Sequence, residues 1–338
     1  MPRWLPDVLG SPFECAELEL PADAEGPVSA TLVRRVRDEV IDGPGVFDVL
    51  YVHGWSDYFF QRDLAEYWVS RGARFFALDL RKYGRSLRPH QTPGYIEDLA
   101  AYDEEIDAAL DVIRTQPAAP LVLMGHSTGG LTLSLWASRH PDLVDGLVLN
   151  APWLEWQTRA VGRALLEPAI GLGAALHPHA EFPEVDLGFY SRSVRSRLGG
   201  EWEYDETWRP ERGFHTNRGW LNAVLRGQAT VSRGLGIRVP ILVLLSTRSM
   251  LQPAWSEQMR YADTAIEVGG VARRAPDLGL DVTIRRIEGA LHDATLSSAP
   301  VRAVVWEAID RWLPAVVDGA PRPAARDRAS ALGIPGVG

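Results

Sequence analysis

The sequence predicts an α/β protein: an eight-stranded, mostly parallel sheet flanked by helices, with a helical cap inserted after the sixth strand. Three observations predict it. Short β-rich apolar runs alternate with longer helical patterns, the arrangement of a sheet covered by helices on both faces. The run Leu121-Val122-Leu123-Met124 stops at Gly125-His126-Ser127-Thr128-Gly129-Gly130 and passes into helix-period sequence. From Trp153 to Arg238 the strand rhythm is suspended, and it resumes at Val239-Pro240-Ile241.

In chain order, the candidate strands are 14–20, 28–36, 46–52, 74–80, 121–125, 146–150, 241–246 and 282–287. Between the fourth and fifth, Ile96, Leu99, Ile106, Leu110 and Ile113 recur at helical spacing with acids on the other positions. After the fifth, Leu131, Leu133, Leu135, Trp136 and Ala137 lead to Arg139-His140-Pro141, where proline closes the helix. A helical pattern at 270–278 lies between the last two strands, and a final one covers 301–313. The organisation is therefore a core of 1–152 and 239–317, an inserted helical cap of 153–238, and a flexible tail of 318–338 containing Pro321, Pro323 and a glycine-rich end. The cap lies over the carboxyl edge of the sheet, where open α/β sheets bind ligands.

Composition narrows the partners. A hydrophobic fraction of 46% and a charged fraction of 23% over 338 residues describe a soluble globular chain. The net charge of −9, with no compensating run of Lys and Arg, argues against nucleic acid. Cys15 is the only cysteine, so neither an intrachain disulfide nor a thiolate metal cluster is expected. The residues from Met1 to Asp7 hold two prolines and no apolar core of a signal peptide, which makes the cytoplasm the default location. Segment 160–176 is interrupted by Arg163, Glu167 and Pro168 and is too short to span a bilayer, although it could dock on a lipid surface. Oligomeric state is not legible.

The chemistry centres on Ser127. A serine at the tip of a strand-to-helix turn, with Gly125 and Gly129 two positions away, reads as a nucleophile elbow. A serine hydroxyl is a poor nucleophile at neutral pH and needs a histidine base oriented by a carboxylate. In this architecture the chain order is serine, acid, histidine, and His292 is the only histidine beyond the last strand candidate. The position directly after the seventh strand candidate reads Ser246-Thr247-Arg248-Ser249 and offers no carboxylate. Asp263 stands farther on, just ahead of the 270–278 helix, as an insertion from Met250 to Ala262 would place it. Asp277 and Asp281 lie too close to the last strand, and Asp293 would point away from its neighbour's reacting edge. The backbone N–H of Thr128 and that of Trp55, in the His53-Gly54-Trp55 turn, are the candidate oxyanion donors. His177 and His179 lack a third ligand at suitable spacing, so no metal site is expected.

His53-Gly54, Asp79-Leu80-Arg81-Lys82-Tyr83-Gly84-Arg85-Ser86, Gly125-His126-Ser127-Thr128-Gly129-Gly130 and Gly289-Ala290-Leu291-His292 together resemble the successive signatures of α/β-hydrolases of the monoacylglycerol lipase, lysophospholipase and serine-aminopeptidase-like group. The likeness covers residues 14–315 and is weak within the cap. It implies two-step hydrolysis through an acyl-enzyme on Ser127, with His292 as base and no metal or organic cofactor. Tyr58, Phe59, Trp153 and Trp156 suggest an apolar substrate pocket, so a small-molecule acyl ester such as a monoacylglycerol or lysophospholipid is the leading substrate class. Arg159 and Arg163 are candidates for meeting an anionic head group, although a solvated helix face explains them as well. Two alternatives stay open. One is an aminopeptidase that holds a substrate ammonium on the acidic run Glu201-Trp202-Glu203-Tyr204-Asp205-Glu206, and the other is a ligand-binding protein without turnover.

Overall fold

Each apolar run becomes a strand of one sheet. The computed structural model describes residues 2–38, 42, 45–156, 170–182 and 187–318. Strands β2 (Phe13–Glu19), β3 (Ser29–Arg35), β4 (Phe47–Val52), β5 (Ala73–Asp79), β6 (Leu121–His126), β7 (Gly146–Asn150), β8 (Ile241–Ser246) and β9 (Val282–Ile287) correspond to the eight expected from the sequence. The eight-strand expectation is corrected to nine by β1 (Leu5–Pro6), which pairs antiparallel with β2 through Leu5 opposite Cys15. Two residues cannot display a period-2 alternation, and proline fits there because the strand lies on an edge. The order is β1-β2-β3-β5-β4-β6-β7-β8-β9; β1, β2 and β3 run antiparallel, and β5 through β9 are mutually parallel.

Strands β4, β6, β7 and β8 are buried on both faces, as their near-continuous apolar content requires, while the edge strand β9 exposes Thr283, Arg285 and Arg286. Along β4, Leu50 and Val52 join the core cluster with Ile106, Leu131 and Leu149, while Val49 and Tyr51 join the one with Trp68 and Phe75. Helices Arg62–Ser70, Asp103–Arg114, Thr128–Arg139 and Ala299–Trp312 cover these faces. The helix expected at 270–278 divides: Val268–Arg274 is α-helical and Ala275–Leu278 is 3₁₀, because Pro276 cannot donate to the α-helical ladder. Glu267 caps its start by accepting from the Gly269 and Gly270 amides at 2.9 and 2.5 Å.

Between β7 and β8 the chain leaves the sheet, and helix Arg218–Val231 brings it back across helix Thr128–Arg139. Gly227 makes this crossing close, since a Cβ there would stand 2.9 Å from Leu99 Cδ1 and 3.1 Å from Leu135 Cδ1. The excursion is thus held directly against the helix that begins at Ser127. Residues 319–338, which the sequence reads as the tail, lie outside the described residues, as do Arg159 and Arg163. Among the described residues no helix is long and apolar enough to cross a membrane.

Candidate active site

Strand β6 ends in a backbone conformation that few side chains adopt. Ser127 has φ +50° and ψ −116°, a strained geometry that lifts its side chain at the junction with helix Thr128–Arg139. The glycines around it are required by close backbone approach. A Cβ on Gly129 would collide with the His53 carbonyl oxygen and stand 2.5 Å from that of Val52; one on Gly125 would stand 2.7 Å from the Gly129 carbonyl oxygen. Since these neighbours are backbone, they cannot swing aside. Gly129→Ala is accordingly expected to destabilise the fold by about 1–3 kcal/mol, read as a lower midpoint in urea.

The Ser127 hydroxyl lies 3.0 Å from His292 Nε2, and His292 Nδ1 lies 2.9 Å from Asp263 Oδ2. All three side chains are buried. A carboxylate only accepts, so Nδ1 carries the hydrogen and Nε2 is left to accept from the serine. Asp263 is itself fixed, its Oδ1 taking the amides of Ala265 and Ile266 at 2.8 and 2.9 Å. The chain reaches this point by looping out after β8 and returning: Asp263 N donates to Arg248 O at 3.1 Å, and Met250 N donates to Asp263 O at 2.7 Å. Residues 250–262 are the detour, and their removal from the count restores Asp263 to the end of β8. Asp293 does not face the imidazole Nδ1. Its Oδ1 accepts from Asn150 Nδ2 at 2.6 Å and from Thr295 N and Oγ1 at 2.8 and 2.6 Å.

The loop after β4 passes over Ser127, with Gly54 so near that a Cβ would stand 3.0 Å from Ser127 Cβ. Trp55 follows it, and Thr128 opens the helix whose first-turn amides have no intrahelical acceptor. His53 anchors this loop. Its Nε2 accepts from Leu80 N at 3.1 Å, so Nδ1 bears the hydrogen and donates to Gly54 O at 2.8 Å; burial pushes the imidazole pKa down, favouring this neutral form. Asp79 holds the far end by accepting from Phe59 N at 2.9 Å and Arg85 Nη1 at 2.8 Å. The His-Gly and Asp-to-Ser86 signatures are therefore the scaffold of one loop.

Residues 48–294 match the family model described as Serine aminopeptidase, S33. The chain belongs to this family. Phospholipase YtpA of Bacillus subtilis is 34% identical over 120 residues, covering 35% of this chain and 44% of that protein. A monoacylglycerol lipase of Mycolicibacterium smegmatis is 22% identical over 273 residues, covering 78% of this chain and 87% of its own. The matches span only 44%, 27% and 36% of the lengths of the first three curated relatives. A crystal structure of a soluble variant of monoglyceride lipase from Saccharomyces cerevisiae superposes with a TM-score of 0.60 at 15% identity, covering 88% of this chain and 94% of that one. It shows the shared α/β-hydrolase fold.

This S33 chain also carries a buried ion pair. Arg209, from the excursion, places Nε 3.0 Å from Asp57 Oδ1, and both side chains are 3% exposed. Its guanidinium also lies over the Tyr204 and Tyr190 rings at 4.5 and 4.9 Å. Among the described residues, Asp57, His126 and Asp293 form the one set of three whose ligating atoms lie within 4.8 Å of one another. They do not fit a metal ion: Arg209 already supplies the cation at Asp57, while Asn150 and Thr295 occupy Asp293. Burial pushes the Asp57 carboxyl up to about 7 despite Arg209, and burial pushes His126 down to about 4.

An asymmetry follows. Arginine cannot shed its charge, whereas Asp57 can take up a proton. Asp57→Asn strands a buried cation and is expected to cost about 3–5 kcal/mol, while Arg209→Met costs less below pH 7. Urea denaturation of both variants and their double checks this; the double is expected to be more stable than Asp57→Asn alone.

A cavity of about 660 Å³ opens at Ser127 and His292. Trp153 and Trp156 line it, as does Trp55. Tyr58 and Phe59 do not, and their expected contact with substrate is corrected. Phe59 is wholly buried beside Phe13, Tyr51 and Phe75, and the Tyr58 hydroxyl accepts from Asp205 N at 2.8 Å against the ring of Trp208. They tie the loop to core and excursion. Sequence reasoning missed Trp220, Phe214 and Arg209, which also line the cavity, because the excursion has no periodic pattern that would aim them there.

Proposed function

We propose that this chain is a serine hydrolase that cleaves small carboxylic esters through an acyl-enzyme on Ser127. One observation carries the reading: the relay from Ser127 to His292 at 3.0 Å and on to Asp263 at 2.9 Å stands at the edge of a largely apolar cavity. In this reading Ser127 Oγ attacks the ester carbonyl as His292 Nε2 takes its proton, and Asp263 stabilises the imidazolium through Nδ1–H. The amides of Trp55 and Thr128 hold the oxyanion. His292 returns the proton to the departing alcohol, then activates the water that releases the acid. Segment 153–238 serves as the cap over the cavity, and an acyl ester of the monoacylglycerol or lysophospholipid kind is the leading substrate class, in keeping with the names of the relatives.

The aminopeptidase reading needs free acids at the site. Glu206 instead pairs with Arg195 and Arg197, and Glu201 with Arg302 at 2.8 Å, and none of them lines the cavity. The test is hydrolysis of graded p-nitrophenyl esters, monoacylglycerols, lysophospholipids and aminoacyl arylamides by the wild type and Ser127→Ala. Esters are expected to be cleaved and arylamides spared. Preferential cleavage of arylamides would favour the aminopeptidase, and an unreactive serine the ligand-binding protein.

A further inference from the structure

The rings around the cavity are arranged rather than merely abundant. Trp55 follows the glycine that lies against Ser127, and Trp153 N donates to Ser127 O at 3.0 Å, so two tryptophans are anchored at the nucleophile itself. Trp220 sits between them. Its ring centroid is 3.8 Å from that of Trp55 and 6.0 Å from that of Trp153, with interplanar angles of 37° and 32°. Trp156 extends the series 6.3 Å beyond Trp153. All four line the cavity. The Trp153 indole N–H is buried and has no hydrogen-bond partner among the described residues.

We infer that the substrate carries a planar aromatic ring close to the scissile ester, an inference that rests on the ester-hydrolase reading and narrows it. A flat ring can lie against an indole face over its whole area, where a flexible chain makes contact along a line. A conjugated or short-tethered ring also has few rotors to immobilise, while each ordered methylene of an alkyl chain adds an entropic cost.

The test uses two matched pairs read by proton release, so that no chromophore supplies a ring of its own: methyl 3-phenylpropanoate against methyl heptanoate, and 2-phenylethyl acetate against hexyl acetate. One pair reports the acyl side and the other the alcohol side. In at least one pair the ring-bearing ester is expected to have a kcat/KM about tenfold higher. Trp153→Leu and Trp156→Leu should bring that ratio toward unity and Trp153→Phe should retain it, with fluorophosphonate labelling of each variant reporting an intact site. Ser127-dependent turnover without a ring preference in either pair overturns the inference and leaves the hydrolase reading standing, as does a preference that the leucine variants do not alter. Absence of Ser127-dependent turnover on every ester overturns the hydrolase reading itself, and this inference with it.

Discussion

Ser127→Ala is expected to lower kcat for ester hydrolysis by about four to six orders of magnitude while leaving the melting temperature nearly unchanged. The size follows from the site having one hydroxyl in line with the imidazole. Oγ lies 3.0 Å from His292 Nε2, and in the proposed mechanism its loss leaves the Trp55 and Thr128 amides and the cavity but no group to form the acyl-enzyme. The small effect on stability has a separate cause. The elbow is held by its backbone, with Ser127 N donating to Asn150 O at 3.0 Å and Trp153 N donating to Ser127 O at 3.0 Å, and alanine preserves both bonds. Steady-state kinetics and a thermal melt on the same preparation check the two halves together.

Asp263→Asn is expected to cut kcat by about 10⁴ with the fold intact, and Asp293→Asn by no more than about a hundredfold. Two carboxylates flank His292, and their hydrogen bonds separate their roles. Asp263 Oδ2 accepts from His292 Nδ1, so an amide at this position can present its own N–H to the ring and favour the wrong tautomer. Asp293 is spent on Asn150 and Thr295, and its loss disturbs the seating of the loop around His292 rather than the proton on it. If Asp293→Asn proves the more damaging to kcat, the role assigned to Asp263 is wrong.

How much of this could be read from the chain depended on whether local sequence carried the signal. Strands β7 and β8 coincide with the runs at 146–150 and 241–246 because buried parallel strands are near-continuous apolar runs bounded by polar turns, and the edge strand β9 coincides with 282–287 because Val282-Thr283-Ile284-Arg285 alternates apolar and polar. The elbow was legible because its glycines are demanded by backbone contact within a few residues of Ser127 and with β4. Asp263 was reachable through chain order, although what returns it to the site is its backbone pairing with Arg248 and Met250, which side-chain pattern does not display. The cavity wall was half legible. Trp55, Trp153 and Trp156 lie next to recognisable strand ends, whereas Trp220 reaches the cavity through the crossing of helix Arg218–Val231 over helix Thr128–Arg139, a tertiary fact. Tyr58 and Phe59 were misread for the same reason: proximity to the loop in sequence says nothing about which side of it faces the core. The Asp57–Arg209 pair joins residues 152 positions apart, and nothing near either one announces the other.

Covalent labelling of the wild-type chain with a fluorophosphonate, followed by mass analysis of its proteolytic peptides, reports directly whether Ser127 is the reacting group. One adduct is expected, on the peptide containing Ser127, formed in step with loss of esterase activity and absent from Ser127→Ala. An unlabelled Ser127 in a folded chain, or esterase activity that survives in Ser127→Ala, would contradict that role.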